Sequence, residues 1–319
     1  MFAIVALRML LKILVVFTCC IGAAAYLSLF ERKILGRIQR RLGPSYCGPF
    51  GVLQPIADAL KLFLKKGALK GHSKNSIFSV CFFMFASLLL ILFVPLSEDI
   101  YLFNPKYGLI YIVILLETIG ICEVLIGTNT ISKYGIIGGV RSYFQLPASH
   151  IPFVLSLLCV ALAANSFNLI KIGQFQNVWP LSITTAPVFI IFFVSILIIL
   201  NRTPFDFTEA ESELVAGNYV EYGGMLFAMI YLSEYINLMF ASALTTILFL
   251  GAWNPIMFIK NIPPWVWMLL KTTFVMTFMI VIRAMLPRYK QQDIIKISWK
   301  LFCPVLIICL FFRVYLYKP

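Results

Sequence analysis

The chain has 319 residues, of which 61% are hydrophobic and only 12% charged, and its mean hydropathy is +0.95. A sequence this apolar cannot cover a core with a polar shell, which excludes a soluble globular enzyme and leaves a polytopic membrane protein. The formal net charge of +13 calls for no nucleic-acid partner, because Lys and Arg accumulate in the loops on one face of a membrane.

Apolar runs long enough to cross a bilayer, roughly 20 residues each, occupy 2–30, 77–96, 107–126, 151–167, 181–200, 225–250, 266–286 and 301–316. They predict an all-α integral membrane protein of about eight transmembrane helices, one polytopic unit over residues 1–319. The first run carries Arg8 and Lys12, exceeds the length of a signal core and lacks a small-residue cleavage site, so it reads as a permanent helix. Loops on one side hold Arg32, Lys33, Arg37, Arg40, Arg41, Lys61 and further cations, whereas the opposite side offers only Lys106, Lys171 and Lys260. Both termini are therefore expected on the outer side, with the basic loop 31–76 and an acidic loop 201–222 on the inner side.

The basic loop opens with ERKILGRIQRRLGPSYCGPFG, a helical continuation that Gly43 and Pro44 break. Over 52–66, Leu53, Ile56, Leu60, Phe63 and Leu64 fall on one face and Asp58, Lys61 and Lys65 on the other. That pattern predicts an amphipathic interfacial helix, either bracing the loop among lipid headgroups or flanking an opening for a lipid-like molecule.

Ionisable residues inside spans are costly and point to function. Glu117 and Glu123 lie in the third run, six residues apart and so on different helix faces; Glu234 lies in the sixth, and Lys271 and Arg283 in the seventh. Packed together they would form a polar proton line, or else isolated ion pairs that hold helices together. The acidic loop, NRTPFDFTEAESELVAGNYVEY, contains five of the thirteen carboxylates. Thr203, Pro204 and Asp206 match a helix start, so a helix is expected from 204 to Gly217, with Asp206, Glu209 and Glu213 on one face and Glu211 elsewhere. Such a row suits proton passage or pairing with a basic neighbour, and a solvated acidic helix is the plainer reading.

Seven of the eight cysteines sit in apolar surroundings, with only Cys47 in a loop, no CxxC occurs, and His72 and His150 are far apart. No ligand set for zinc, haem or an iron–sulfur cluster is expected, and no phosphate-binding glycine motif is present. Redox chemistry must then belong to other chains or to a diffusible lipid-soluble substrate.

Three segments, ERKILGRIQRRLGPSYCGPFGVLQPIADALKLFLKK, NRTPFDFTEAESELVAGNYVEYGG and RAMLPRYKQQDIIKISWK, resemble the signature segments of subunit 1 of the proton-pumping NADH:quinone oxidoreductase, respiratory complex I. The resemblance implies a membrane subunit that lines the quinone-access tunnel and begins a line of buried charges. Glu31, Arg32, Arg41, Asp58 and Phe205 would border the quinone entrance and tunnel. Asp206, Glu209, Glu211, Glu213, Glu221 and Glu234 would form the proton path, with Glu117, Glu123 and His150 beside them. Arg202, Arg283 and Arg288 would contact partners. FMN and iron–sulfur clusters would reside in partner subunits, quinone would be the substrate, and the partners would be quinone-site subunits of the hydrophilic arm, neighbouring membrane-arm subunits and lipids. The chain departs from the family pattern at Ile199, where an acid usually precedes the Asn-Arg pair, and at His150, where a glutamate is usual. High Phe and Ile content favours a mitochondrial inner-membrane subunit, with a bacterial plasma membrane as the alternative. A hydrogenase-type anchor would share the fold, and a proton-coupled secondary transporter would share the buried acids.

Overall fold

The computed structural model describes residues 2–65, 74–177, 179–209, 211–255 and 262–316. In chain order its helices are α1 (Phe2–Ile38), α2 (Gln54–Leu64), α3 (Lys74–Ile91), α4 (Gly108–Thr128), α5 (Lys133–Ala164), α6 (Leu169–Phe175) and α7 (Leu181–Thr184). They continue with α8 (Ala186–Ile199), α9 (Glu211–Leu214), α10 (Gly224–Phe249), α11 (Pro264–Met285), α12 (Gln291–Ile297) and α13 (Cys303–Leu316). Among the described residues seven helical stretches are long and apolar enough to cross a membrane. The fifth expected span is broken into α7 and α8, and α8, at 14 residues, is apolar but short. An all-α integral membrane architecture results, as the run lengths require.

Helix α10 is central. Its buried positions include Ile230, Ile236, Leu238, Phe240, Leu244, Ile247 and Phe249, all 1% exposed or less, and it packs against α1, α3 and α11. Helix α5 lies between α4, α8 and α13. Its start corrects the sequence reading: residues 133–150 were expected in an inner loop but form the first half of a 32-residue helix. Ser132 caps it by accepting from the Gly135 amide at 3.1 Å. Its buried face runs Gly135, Gly138, Gly139, Ser142, Gln145, Ser149, small and polar residues at three- and four-residue spacing. A hydropathy scan misses such a face, yet it allows close helix packing in a membrane. A Cβ on Gly127 would come within 2.7 Å of the Gly139 Cα, so α4 and α5 touch backbone to backbone. Pro147 and Pro152 lie inside α5 without ending it; neighbouring helices can offset the lost backbone bonds at such depth.

The amphipathic element appears as α2, and Leu53 just before it and Ile56, Leu60, Phe63 and Leu64 on it are all exposed. At the other end of the bundle, Lys271 was considered as a partner for a glutamate. Instead its ammonium donates to the carbonyls of Leu250 (2.8 Å), Gly251 (3.4 Å), Ala252 (3.0 Å) and Asn254 (2.8 Å) just past α10. A cation there complements both the orphan carbonyls and the dipole of the helix C-terminus.

Candidate functional site

Glu31, in the C-terminal half of α1, is buried with its side chain 2% exposed. It accepts from Arg202 at 2.8 Å and from Arg283 of α11, so one carboxylate ties α1 to the acidic loop and to α11. Arg202 also lies over the Tyr235 ring of α10, 4.8 Å from its centroid. Of the three arginines assigned to partner contacts, Arg202 and Arg283 are thus engaged inside the chain, and Arg288 donates to Asp206 at 3.1 Å. An arginine at the edge of an apolar bundle is held where a buried carboxylate can neutralise it.

The helix expected over 204–217 does not form. Among the described residues of this loop the α-helical stretch is Glu211–Leu214, followed by a tight turn over Gly217–Tyr219. Distant partners override the local capping pattern. Thr203 Oγ1 donates to the Arg283 carbonyl at 3.5 Å, Tyr289 donates its amide to the Pro204 carbonyl at 3.2 Å, and Phe205, buried, stacks on Tyr289 with centroids 5.9 Å apart. Asp206, Glu209 and Glu213 therefore share no helical face. Asp206 pairs with Arg288 and accepts from the Glu209 amide at 3.3 Å, while Glu213, 61% exposed, pairs with Arg141 at 2.6 Å. Gly217 has φ +48°, and a Cβ on it would collide with the Thr208 carbonyl at 1.7 Å, so the turn requires glycine.

That turn places Tyr219 beside Glu209 and Glu234. Burial, then the charges of Glu234 and Asp206, push the Glu209 carboxyl well above its usual range. Burial, then Glu234, Glu209 and Glu123, push the Tyr219 phenol up as well. A carboxyl kept out of water beside other acids disfavours its charged form, so Glu209 holds its proton more tightly than an exposed glutamate does. Tyr222, on the same loop, is pushed up to about 12 by burial and by Glu221, and donates to the Ile126 carbonyl at 2.9 Å.

Glu117 and Glu123 of α4 have different partners. Glu123 accepts from the Asn201 side chain at 2.5 Å, and Asn201 accepts in turn from Gln145 at 2.8 Å. Glu117, 41% exposed, lies 2.9 Å from Nδ1 of the buried His150. Between these pairs a cavity of about 20 Å³ is lined by Gly120, Glu123, Ser142, Gln145, Ser149, His150, Ile199 and Asn201, among others. Ile199 and His150, both at positions where an acid was expected, therefore line the same cavity.

The remaining candidates lie apart from this cluster. Arg32 pairs with Asp58 at 2.9 Å, joining α1 to α2. Arg41 is exposed, Glu221 accepts from the Ile131 amide at 3.0 Å, and the Glu211 side chain lies outside the described residues. Among the described residues no three His, Cys, Asp or Glu side chains are grouped to hold a metal, and the described cysteines are all unpaired. Asn201, Gln145, Tyr219 and Tyr235 were missed by sequence reasoning, which weighed charged residues. Their one signal was a polar or hydroxyl group at helical spacing within apolar or loop sequence.

Residues 11–314 match the model of the NADH dehydrogenase family. The H subunit of the NADH-quinone oxidoreductase of Orientia tsutsugamushi (strain Boryong) is 37% identical over 305 residues, which span 93% of this chain and 86% of that protein. Chain 1 of the NADH-ubiquinone oxidoreductase of Chondrus crispus is 38% identical over 306 residues, 94% of this chain and 93% of that protein. The corresponding NADH-quinone oxidoreductase protein of Rhodospirillum rubrum is 38% identical over 307 residues, 94% and 90% of the two chains. The chain belongs to this NADH dehydrogenase family. It is accordingly a multi-pass membrane component of an oxidoreductase complex, and the site built from Glu31, Glu123, Glu209 and Glu234 belongs to its own helices and loops.

Proposed function

We propose that this NADH dehydrogenase family chain lines the route by which quinone enters the enzyme and couples quinone reduction to proton movement through its buried acids. The observation that carries the reading is the meeting of Glu123 of α4, Glu209 of the acidic loop and Glu234 of α10 around Tyr219. Carboxyls from three elements that share protons can pass them on, and intramembrane acids are retained where such passage is needed. Glu31, Arg32, Arg41, Asp58 and Phe205 would border the quinone route, with the exposed apolar face of α2 offering a lipid-level approach. Asp206, Glu209, Glu234, Glu123, Glu117 and His150 would carry protons. Electron transfer through FMN and iron–sulfur clusters falls to hydrophilic-arm partners, and neighbouring membrane-arm subunits continue the proton line. The loops 31–76 and 201–222 face the inner side, the matrix of a mitochondrion. The relatives' names speak for an NADH-linked quinone oxidoreductase over a hydrogenase-type anchor or a free-standing transporter.

The test is made in the intact complex. Glu209→Gln and Glu234→Gln should lower quinone-dependent turnover by about tenfold or more while NADH oxidation by a soluble acceptor stays unchanged. Glu213→Gln, at an exposed ion pair, should leave both rates near wild type. Normal quinone turnover and proton pumping in both of the first variants would overturn the proposal.

A further inference from the structure

Gln145 of α5 is 4% exposed and lines the cavity between α4, α5 and α8. Its amide nitrogen donates to the Ile198 carbonyl and to Asn201 Oδ1, both at 2.8 Å. Because a backbone carbonyl only accepts, the amide orientation is set, and the oxygen is the other terminal atom. That oxygen is buried without a hydrogen-bond partner among the described residues, a condition that is unfavourable if nothing meets it. Opposite stands His150. Its Nδ1 is engaged by Glu117 at 2.9 Å, and its Nε2 lies 3.5 Å from where a Cβ on Gly120, another lining residue, would be. The ring therefore turns its second nitrogen toward the cavity.

A cavity of about 20 Å³ exceeds the roughly 10–15 Å³ that one water needs, and a buried water needs two to four polar partners. Gln145, His150, Glu123 and the Ser142 and Ser149 hydroxyls line it. Both hydroxyls already donate to backbone carbonyls of their own helix, so they are left as acceptors. We propose that this cavity is a binding site for a single water molecule, which donates to Gln145 Oε1 and joins His150 Nε2 to Glu123. The connection then runs from the half-exposed Glu117 through His150 and the water to Glu123, which lies close enough to Glu234 for their charges to interact. This inference rests on the proton-carrying reading and deepens it. Gln145, which carries no charge, acts as a positioning residue that fixes the water where His150 and Glu123 can both reach it. A hydrogen-bonded water is nearly as good a link as a direct bond.

The experiment uses the intact membrane complex. A high-resolution cryo-EM map should show one water within hydrogen-bonding distance of Gln145 Oε1 and His150 Nε2. Infrared difference spectra of quinone reduction should contain a water O–H band that shifts in heavy-oxygen water. Gln145→Met removes the acceptor at similar volume. Gly120→Ala keeps every polar partner but its Cβ would meet the Leu146 Cδ2 methyl at 2.4 Å, driving that methyl toward the cavity. Both variants should lose the band and pump fewer protons per NADH, with oxidation by a soluble acceptor unchanged as the measure of assembly. A cavity filled by protein atoms in the map, or a band retained in both variants, would overturn the water site. If Glu234→Gln abolishes coupling while Gln145→Met and Gly120→Ala pump normally, the acid line stands and the water link is wrong. If Glu234→Gln also pumps normally, the underlying reading fails instead.

Discussion

Replacing Glu31 by Gln removes one negative charge from between two guanidinium groups. The two ion pairs differ in exposure: Arg202 is 11% and Arg283 36% exposed, against 2% for the carboxylate. Breaking a buried pair by removing one partner costs about 3–5 kcal/mol. The amide keeps one acceptor oxygen, so the lower end, about 3 kcal/mol, is expected, equivalent to a factor of about 150 in a local opening equilibrium. Arg283→Met breaks only the more exposed pair and should cost about 1 kcal/mol or less, roughly fivefold. The reporter is the amide of Phe205, which donates to the Arg202 carbonyl at 2.8 Å and exchanges only when the loop lets go. Hydrogen–deuterium exchange of peptides covering 203–207, measured on the assembled complex, should accelerate far more in Glu31→Gln than in Arg283→Met. Equal acceleration in the two variants, or none in Glu31→Gln, would refute the view that a buried Glu31–Arg202 pair holds the loop.

Glu209 supplies a pH dependence. Its carboxyl is raised by burial and by Glu234 and Asp206, so the folded loop binds a proton that the unfolded loop has released. Loop stability from this group is complete below the usual glutamate range and is lost as pH rises toward the raised value. Alkaline loosening of 206–219, followed by exchange relative to Glu209→Gln, should therefore be weaker in the variant, whose side chain does not titrate. Lys271→Met leaves four carbonyls without their charged donor; a loss of about 2–3 kcal/mol should appear as faster exchange and protease cutting around 250–254. Cys47 should be modified by a membrane-impermeant thiol reagent only from the inner face, tested in right-side-out and inverted vesicles of a variant with no other accessible thiol. Modification mainly from the outer face would reverse the topology.

The apolar runs and the amphipathic α2 were legible in the sequence because each depends on neighbours a few residues away, whereas α1 ends at Ile38, ahead of the break expected at Gly43 and Pro44. A bilayer sets the length of a span wherever the span occurs, and a helical stripe such as Leu53, Ile56, Leu60 and Leu64 needs no distant partner. The family resemblance likewise rested on contiguous segments. The first half of α5 was read as loop because its buried face is glycine, serine and glutamine, whose value lies in how closely another helix can approach. Only the packed bundle decided the site. Glu31 and Arg202 are 171 residues apart and Arg283 another 81 beyond Arg202, as positions 31, 202 and 283 give. The capping pattern at Thr203 and Pro204 gave way to contacts with Arg283 and Tyr289 on and just after α11, and Asp206, Glu209 and Glu213 were dispersed to different partners. In a low-dielectric interior each charge must find its opposite in space, whatever the local propensity of its segment, so the ionic and hydrogen-bonded connections of this protein follow tertiary distance and not sequence order.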